Sequence, residues 1–179
     1  VFGEKRYGPL GYGFVEGDGN VNAPDDSPFS DLEVRSPGPE LRFMDGLNTR
    51  IYMVNRMEDN DAEKLTSHWH GFDLPHEMDG VPFETQTPID VNATFVYEFQ
   101  TPNVGTRWYH QHFNTPVTVG MGMYGPSTAE YPDEITTWER EYVNMISDAY
   151  NRFTINGNVF PGTVEKLSGY FKDCMQIES

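Results

Sequence analysis

Four of the five histidines in this chain lie in two His-x-His pairs, one in SHWHGFDL and the other in RWYHQHF. In a β-strand, residues i and i+2 point to the same side, so each pair presents two imidazoles on one face. Trp69 and Gln111, the middle residues of the pairs, then point to the opposite face. The spacing therefore predicts two strands that carry the following side chains: His68 with His70, and His110 with His112.

If these two strands are neighbours, four imidazoles converge on one place. Four cationic rings would repel one another there, and four neutral rings would leave ring nitrogens without partners. A transition metal resolves both problems, because neutral imidazole is a good ligand for zinc, copper, iron and nickel. No cysteine accompanies the pairs, which excludes an all-sulfur site. Surface or hydrogen-bonded core histidines are the alternative, but that reading does not explain two pairs in a chain with one further histidine.

The charge of the chain excludes several kinds of partner. Its 179 residues include 28 acidic and 12 basic side chains, a formal net charge of -16. That charge repels phosphate backbones and anionic membrane surfaces, so we expect no nucleic-acid partner. No apolar run approaches the roughly 20 residues that span a bilayer, so we also expect no membrane span.

Short alternating segments recur between turn signals and predict the fold class. LRFMDGLNTRIYMVNRM contains a strand, a turn at Asp45 and Gly46, and a second strand. TFVYEFQT alternates in the same way, with Phe95, Tyr97 and Phe99 on one face. EYVNMISD and FTINGNVFPG are further strand candidates, and DAEKLTS is compatible with one helical turn. The pattern predicts an all-β protein, a β-sandwich with Greek-key connections.

Several of these segments also form an ordered family pattern. HWHGFDLPHEMDGVPFETQTPI, followed by FVYEFQTPNVGTRWYHQHF and GMYGP, resembles the first plastocyanin-like (cupredoxin) domain of a laccase-like multicopper oxidase. REYVNMISDAY and FTINGNVFPGT resemble the link to that family's second domain and its opening strand. The resemblance implies a cupredoxin-like sandwich at residues 31–140. Residues 1–30 are rich in Gly, Pro, Asp and Asn without a sustained period, so we expect an irregular N-terminal extension there. Residues 141–179 are expected to be a linker and the start of a second cupredoxin-like domain, or a C-terminal extension.

Carried over residue by residue, the resemblance implies a copper site. His68 would bind a type-2 copper, His70 and His110 would share one type-3 copper, and His112 would bind the other. Such a cluster reduces dioxygen to water, since a four-electron acceptor needs several redox metals close together. The resemblance also implies a secreted or periplasmic location.

The chain departs from the family pattern in two respects. A full trinuclear cluster uses eight histidines, so the other half must come from further cupredoxin domains or subunits; His76 lies in a loop and is expected to be solvated. A blue-copper site is also missing, because Gln111 stands where its cysteine would lie and Thr118 near where its second histidine would fall. Met123 is then expected to pack in the core, and Cys174 is expected to be a thiol that binds no metal. Electrons from phenolic or metal-ion donors would enter through a type-1 copper held elsewhere.

Residues close to the two His-x-His pairs could support the metal site or simply support the fold. We expect Trp69, Trp108 and Tyr109 to pack the sandwich rather than to carry electrons or substrate. Asp73 and Asp79 are candidates to orient an imidazole through its free nitrogen, although ordinary turn residues explain them as well.

Two functions follow from these observations. The first is a copper-dependent oxidoreductase component that contributes half of a trinuclear site. The alternative is a non-catalytic copper-binding cupredoxin with a storage, transfer or structural role.

Overall fold

The computed structural model describes residues 2–7, 11–16, 36–57, 64–101, 103–132, 139–149, 152–156 and 158–159. The chain divides into two compact units, Val1–Val143 and Asn144–Ser179. Each unit is described by itself below. Among the described residues, no helix is long and apolar enough to cross a membrane.

In the described part of the first unit, the regular secondary structure consists almost entirely of strands. Its strands are β1 (Phe2–Tyr7), β2 (Gly11–Glu16), β3 (Leu41–Met44), β4 (Asn48–Val54), β5 (Ser67–His70), β6 (Thr94–Gln100), β7 (Gly105–Gln111) and β8 (Tyr124–Glu130). Helical structure in the same residues is limited to a 3₁₀ turn at His76–Met78 and the single turn α1 at Thr115–Thr118. One sheet has the strand order β2-β1-β4-β6 and the other β3-β8-β7-β5. Pairing is antiparallel except between β1 and β4 and between β3 and β8.

The two sheets pack face to face around an aromatic core. Trp69 of β5 lies with its ring centroid 5.2 Å from that of Tyr97 and 5.9 Å from that of Phe99, both on β6. The ring centroids of Phe43, on β3, and Phe99 are 6.3 Å apart. Burial of each such side chain stabilises the fold by about 1.5–3 kcal/mol relative to its exposure. The predicted all-β sandwich is confirmed.

The alternation read from the sequence matches the burial of side chains in two strands. Ile51 and Met53 of β4 are buried, as are Tyr97 and Phe99 of β6. Asn55 continues the buried face of β4, and its amide donates to the Ile89 carbonyl and accepts from the Met57 N–H. Local two-residue periodicity thus identified the core-facing positions correctly.

The structure differs from the sequence-based expectation near the N-terminus. Residues 1–30 were expected to be irregular, yet β1 and β2 within this range form an antiparallel hairpin. The expectation was wrong over these two stretches, because β1 pairs with β4, a partner distant in sequence. Strand formation depends on such neighbours more than on local propensity, and a Gly-rich sequence gives little local signal.

Two shorter predictions also need correction. The helical turn expected in DAEKLTS is not found in its described part, residues 64–67, where Leu65 bridges Ile89 and β5 begins at Ser67. The strand expected in EYVNMISD begins only at Ile146. Cys174 lies outside the described residues.

The second unit contains a small sheet with the order β11-β10-β9. Its strands are β9 (Ile146–Ala149), β10 (Arg152–Ile155) and β11 (Asn158–Val159). Asn156, which follows β10, has a φ of 49° and accepts the Met145 N–H on its side-chain oxygen. The assignment of residues 141–179 to a linker and a second domain stays a prediction.

Candidate metal centre

The register between β5 and β7 brings the two His-x-His pairs together. His68 lies directly opposite His110, and His70 lies opposite Trp108. Residues directly opposite in an antiparallel pair point to the same face of the sheet. Because Trp69 points into the core, the imidazoles occupy the face that looks away from it.

His112 lies one residue beyond the end of β7 and continues this arrangement. Its backbone N–H donates to the Thr66 carbonyl at 3.2 Å, which extends the pairing of the two strands past their regular ends. Its ring centroid is 5.2 Å from that of His68, and it stacks on His110 at 5.8 Å. All four sequence-predicted ligands therefore belong to one cluster of rings.

The distances within this cluster suit a shared metal. His68 has its ring centroid 5.4 Å from His70 and 5.2 Å from His110. The His70 Nδ1 is 3.4 Å from the His110 Nε2. Ligand atoms of His68, His70 and His110 all lie within 4.8 Å of one another. Three nitrogens, from His68, His70 and His110, can thus reach a common ion with small movements.

Backbone carbonyls orient two of the rings. The His68 Nδ1–H donates to the Asp79 carbonyl at 2.7 Å, and the His110 Nδ1 is 2.9 Å from the Gln111 carbonyl. A hydrogen bond at one ring nitrogen determines the tautomer and leaves the other nitrogen available to a metal. Both residues therefore present Nε2 as the ligand atom.

Of the two aspartates weighed from the sequence, Asp79 contacts the cluster and Asp73 is exposed. The Asp79 carboxylate lies 3.3 Å from the His68 Nδ1, in addition to the carbonyl contact. Gly80 permits this approach, since a Cβ there would overlap the Ser67 carbonyl group of β5. The loop backbone thus lies directly against the strand that carries His68.

The electrostatics of the cluster favour the neutral form of His110 and His70. Burial, together with the neighbouring histidines, lowers the pKa of His110 to about 4, against a backbone hydrogen bond with Gln111 that raises it. Burial and the same neighbours also lower the pKa of His70. Neutral imidazole is the form that binds a transition metal. The donor set consists of imidazole nitrogens without a thiolate. It fits copper, which is one of the four metals that the sequence allowed.

Trp108 is the residue near the site that sequence reasoning misjudged. Trp69 and Tyr109 are fully buried in the core, as expected. Trp108 instead stacks against the cluster, with its centroid 4.3 Å from His110 and 4.9 Å from His70. The available signal was its position two residues before His110, which places both side chains on the same face.

Other residues singled out from the sequence lie away from the cluster. His76 is exposed in the 3₁₀ turn, and Met123 is fully buried in the core, as expected for both. Thr118 is buried, and its hydroxyl donates to the Phe113 and Asn114 carbonyls rather than to any part of a metal site.

A β-sandwich whose imidazoles converge on one face from two adjacent strands is typical of a metal-binding protein. A family model described as multicopper oxidase matches residues 21–133. This chain belongs to the multicopper oxidase family, whose members bind copper, and the resemblance read from the sequence is confirmed.

Individual relatives agree with this assignment. Copper resistance protein A of Pseudomonas syringae pv. tomato is 32% identical over 136 residues, which cover 75% of this chain and 21% of that protein. Laccase-1 of Emericella nidulans is 42% identical over 79 residues, covering 43% and 12%. The crystal structure of a blue copper oxidase from Nitrosomonas europaea superposes with a TM-score of 0.63 at 30% identity, covering 72% of this chain and 46% of that one. The chain spans about a fifth of the length of its first curated relatives.

Proposed function

We propose that this chain supplies half of a trinuclear type-2/type-3 copper site at which dioxygen is reduced to water. The observation that carries the proposal is the register of β5 and β7, which gathers the rings of His68, His70, His110 and His112 on one face. The Asp79 and Gln111 carbonyls hold the Nδ1 atoms of His68 and His110, which leaves Nε2 as the ligand atom of each ring. Bound copper would supply the redox chemistry.

Each histidine has an assigned role in this proposal. His68 holds the type-2 copper, His70 and His110 share one type-3 copper, and His112 holds the other. The 3.4 Å separation between the His70 Nδ1 and the His110 Nε2 supports a shared ion. The Asp79 carbonyl and carboxylate keep the His68 ring turned toward the site. The chain's own contribution is thus to hold the imidazoles in a fixed orientation before the metal binds.

The half-site requires further ligands and a source of electrons. The remaining imidazoles would come from further cupredoxin domains or subunits, consistent with the small share of its relatives that this chain spans. Gln111 carries no thiolate and Met123 is enclosed in the core, so electrons from a phenolic or metal-ion donor would enter through a type-1 copper elsewhere. The copper resistance proteins and laccases among the relatives support a secreted or periplasmic location.

Single substitutions test the proposal in the complete protein. We expect His68→Ala and His112→Ala each to lower the copper content and to abolish oxygen consumption with a phenolic or metal-ion donor. His76→Ala is the matched control, because this exposed histidine lies outside the cluster, and it should leave both quantities unchanged. Full oxygen consumption in His68→Ala would refute the proposal.

A second candidate function is non-catalytic copper binding for storage, transfer or a structural role. It is favoured by the three ligand atoms within 4.8 Å of one another, which suffice for one ion without another chain. Copper per chain and oxygen uptake separate the two candidates. One bound copper and no oxygen uptake, even with all native partners present, would support the second.

A further inference from the structure

The side chain of Gln111 joins the two strands that carry the histidines. It is fully buried on the side of the sheet opposite the imidazoles. Its Nε2 donates to the Lys64 carbonyl at 2.9 Å. Its Oε1 accepts three backbone N–H groups: from Thr66 at 2.8 Å, from His112 at 2.9 Å and from Phe113 at 3.1 Å.

These contacts lie where the regular pairing of β5 and β7 has ended. β5 begins at Ser67 and β7 ends at Gln111, so Thr66 and His112 are both outside their strands. Buried backbone N–H groups need acceptors, and the amide oxygen provides one for the groups on both chain segments. At this end of the sheet, the Gln111 amide therefore makes hydrogen bonds of the kind that backbone groups make to each other within the paired strands.

The consequence for the site concerns His112. Within the described residues, the hydrogen bonds that hold His112 are made by its backbone N–H, to the Gln111 Oε1 and to the Thr66 carbonyl. His68 and His110, in contrast, are held directly at their rings. The direction of the His112 ring thus depends on how firmly its backbone is anchored.

We propose that Gln111 is a positioning residue that sets the place of the His112 imidazole relative to His68. This inference rests on the proposed role of His112 as a copper ligand. A Gln side chain suits the task because one amide offers an acceptor and donors together. A thioether of similar length, as in Gln111→Met, fills the space but offers neither.

The test compares Cu(II) binding by full chains that differ at single positions. Cu(II) ions alone are titrated against a competing chelator, and the EPR hyperfine splitting of the bound ion is recorded. We expect Gln111→Met to weaken Cu(II) binding by about 10–100-fold, the usual effect of losing a group that orients a ligand, and to alter the EPR spectrum. Gln111→Glu keeps an acceptor for the three N–H groups but loses the donor to the Lys64 carbonyl, so its affinity should lie between those of the unaltered chain and Gln111→Met.

Tyr109→Phe is the matched control. Tyr109 lies on the same strand and the same buried face, but its hydroxyl donates to the Pro39 carbonyl, away from the His112 segment. This variant should lose stability and keep the unaltered affinity and EPR spectrum. Unaltered Cu(II) binding in a folded Gln111→Met chain would overturn the proposal.

Hydrogen exchange in the metal-free unaltered chain provides a test that needs no variant. The His112 and Phe113 amides should be protected like those within β7, although they lie beyond its end. Exchange as fast as that of exposed loops would overturn the proposal even if Gln111→Met fails to fold. His68→Ala distinguishes failure of this proposal from failure of the copper site. If Gln111→Met and His68→Ala both leave the Cu(II) affinity unchanged, the proposed copper site itself has failed.

Discussion

Replacement of Gly80 by alanine should disturb both the fold and the orientation of His68. Gly80 has a φ of +76°, and an added Cβ would overlap the Ser67 carbonyl oxygen, lie 2.5 Å from its carbon and 3.0 Å from the His68 nitrogen. These are backbone atoms of β5, so no side-chain rotation can relieve the overlap. Either the strand or the Asp79–Gly80 loop has to move.

The magnitude follows from two contributions. A left-handed conformation costs an alanine about 1–2 kcal/mol. Forcing a methyl group into a packed region typically costs a further 1–3 kcal/mol or so. We therefore expect Gly80→Ala to lower the free energy of unfolding by roughly 2–5 kcal/mol. Displacement of Asp79 should also release the His68 ring and weaken copper binding by about tenfold or more.

Gly46 offers a matched control for the conformational contribution. It has a φ of +74°, close to that of Gly80, but a Cβ there would meet nothing within 4 Å. Gly46→Ala should therefore lose only about 1–2 kcal/mol and keep its copper affinity. Urea denaturation followed by tryptophan fluorescence, with a Cu(II) titration of each variant, measures both effects. Equal loss of stability in the two variants would refute the close approach of the loop to β5.

Three further predictions concern the cluster and its support. The pKa of His110 is lowered from 6.5 to about 4, so the unfolded chain binds its proton at higher pH than the folded chain. The stability of the metal-free protein should therefore fall by roughly 1–3 kcal/mol as the pH decreases from about 6.5 to about 4. In urea denaturation across this pH range, the free energy of unfolding of His110→Gln should depend less steeply on pH than that of the unaltered chain. Equal pH dependence in the two chains would contradict the lowered pKa of His110. Tyr97→Phe leaves the buried Ser67 N–H and the Gln86 Oε1 without the hydroxyl that joins them, so it should lower the free energy of unfolding by about 1–3 kcal/mol; a loss near zero in thermal and urea denaturation would count against this network. Because Trp108 stacks on the imidazoles, Cu(II) should quench its fluorescence, and Trp108→Phe should remove most of the quenching seen in the unaltered chain.

The two-residue period of the sequence correctly identified the faces of the strands. Ile51, Met53, Tyr97 and Phe99 lie in the core as their alternation indicated. The same rule placed both imidazoles of each pair on one side. These features were accessible because the pleat of a strand determines side-chain direction locally, whatever the strand later pairs with.

The contacts that support the candidate site were not accessible in this way. The contact of Trp108 with His70 and the hydrogen bonds of Gln111 to Thr66 and Lys64 follow from the alignment of β5 with β7. A shift of that register by one residue would change every contact between the two strands. The sequence of either strand alone does not determine the register. The N-terminal hairpin was missed for the same reason, since it depends on the edge that β4 offers.

By itself, the sequence determined which side chains offer metal-binding nitrogen and that each pair acts from one face of a strand. Only the tertiary structure decided that the two pairs meet, that the Asp79 carbonyl turns the His68 ring, and that a buried amide anchors the segment after β7. The physical reason is one of range. Side-chain direction within a strand is a property of neighbouring residues, whereas distances between strands are set by pairing and by burial of a common core.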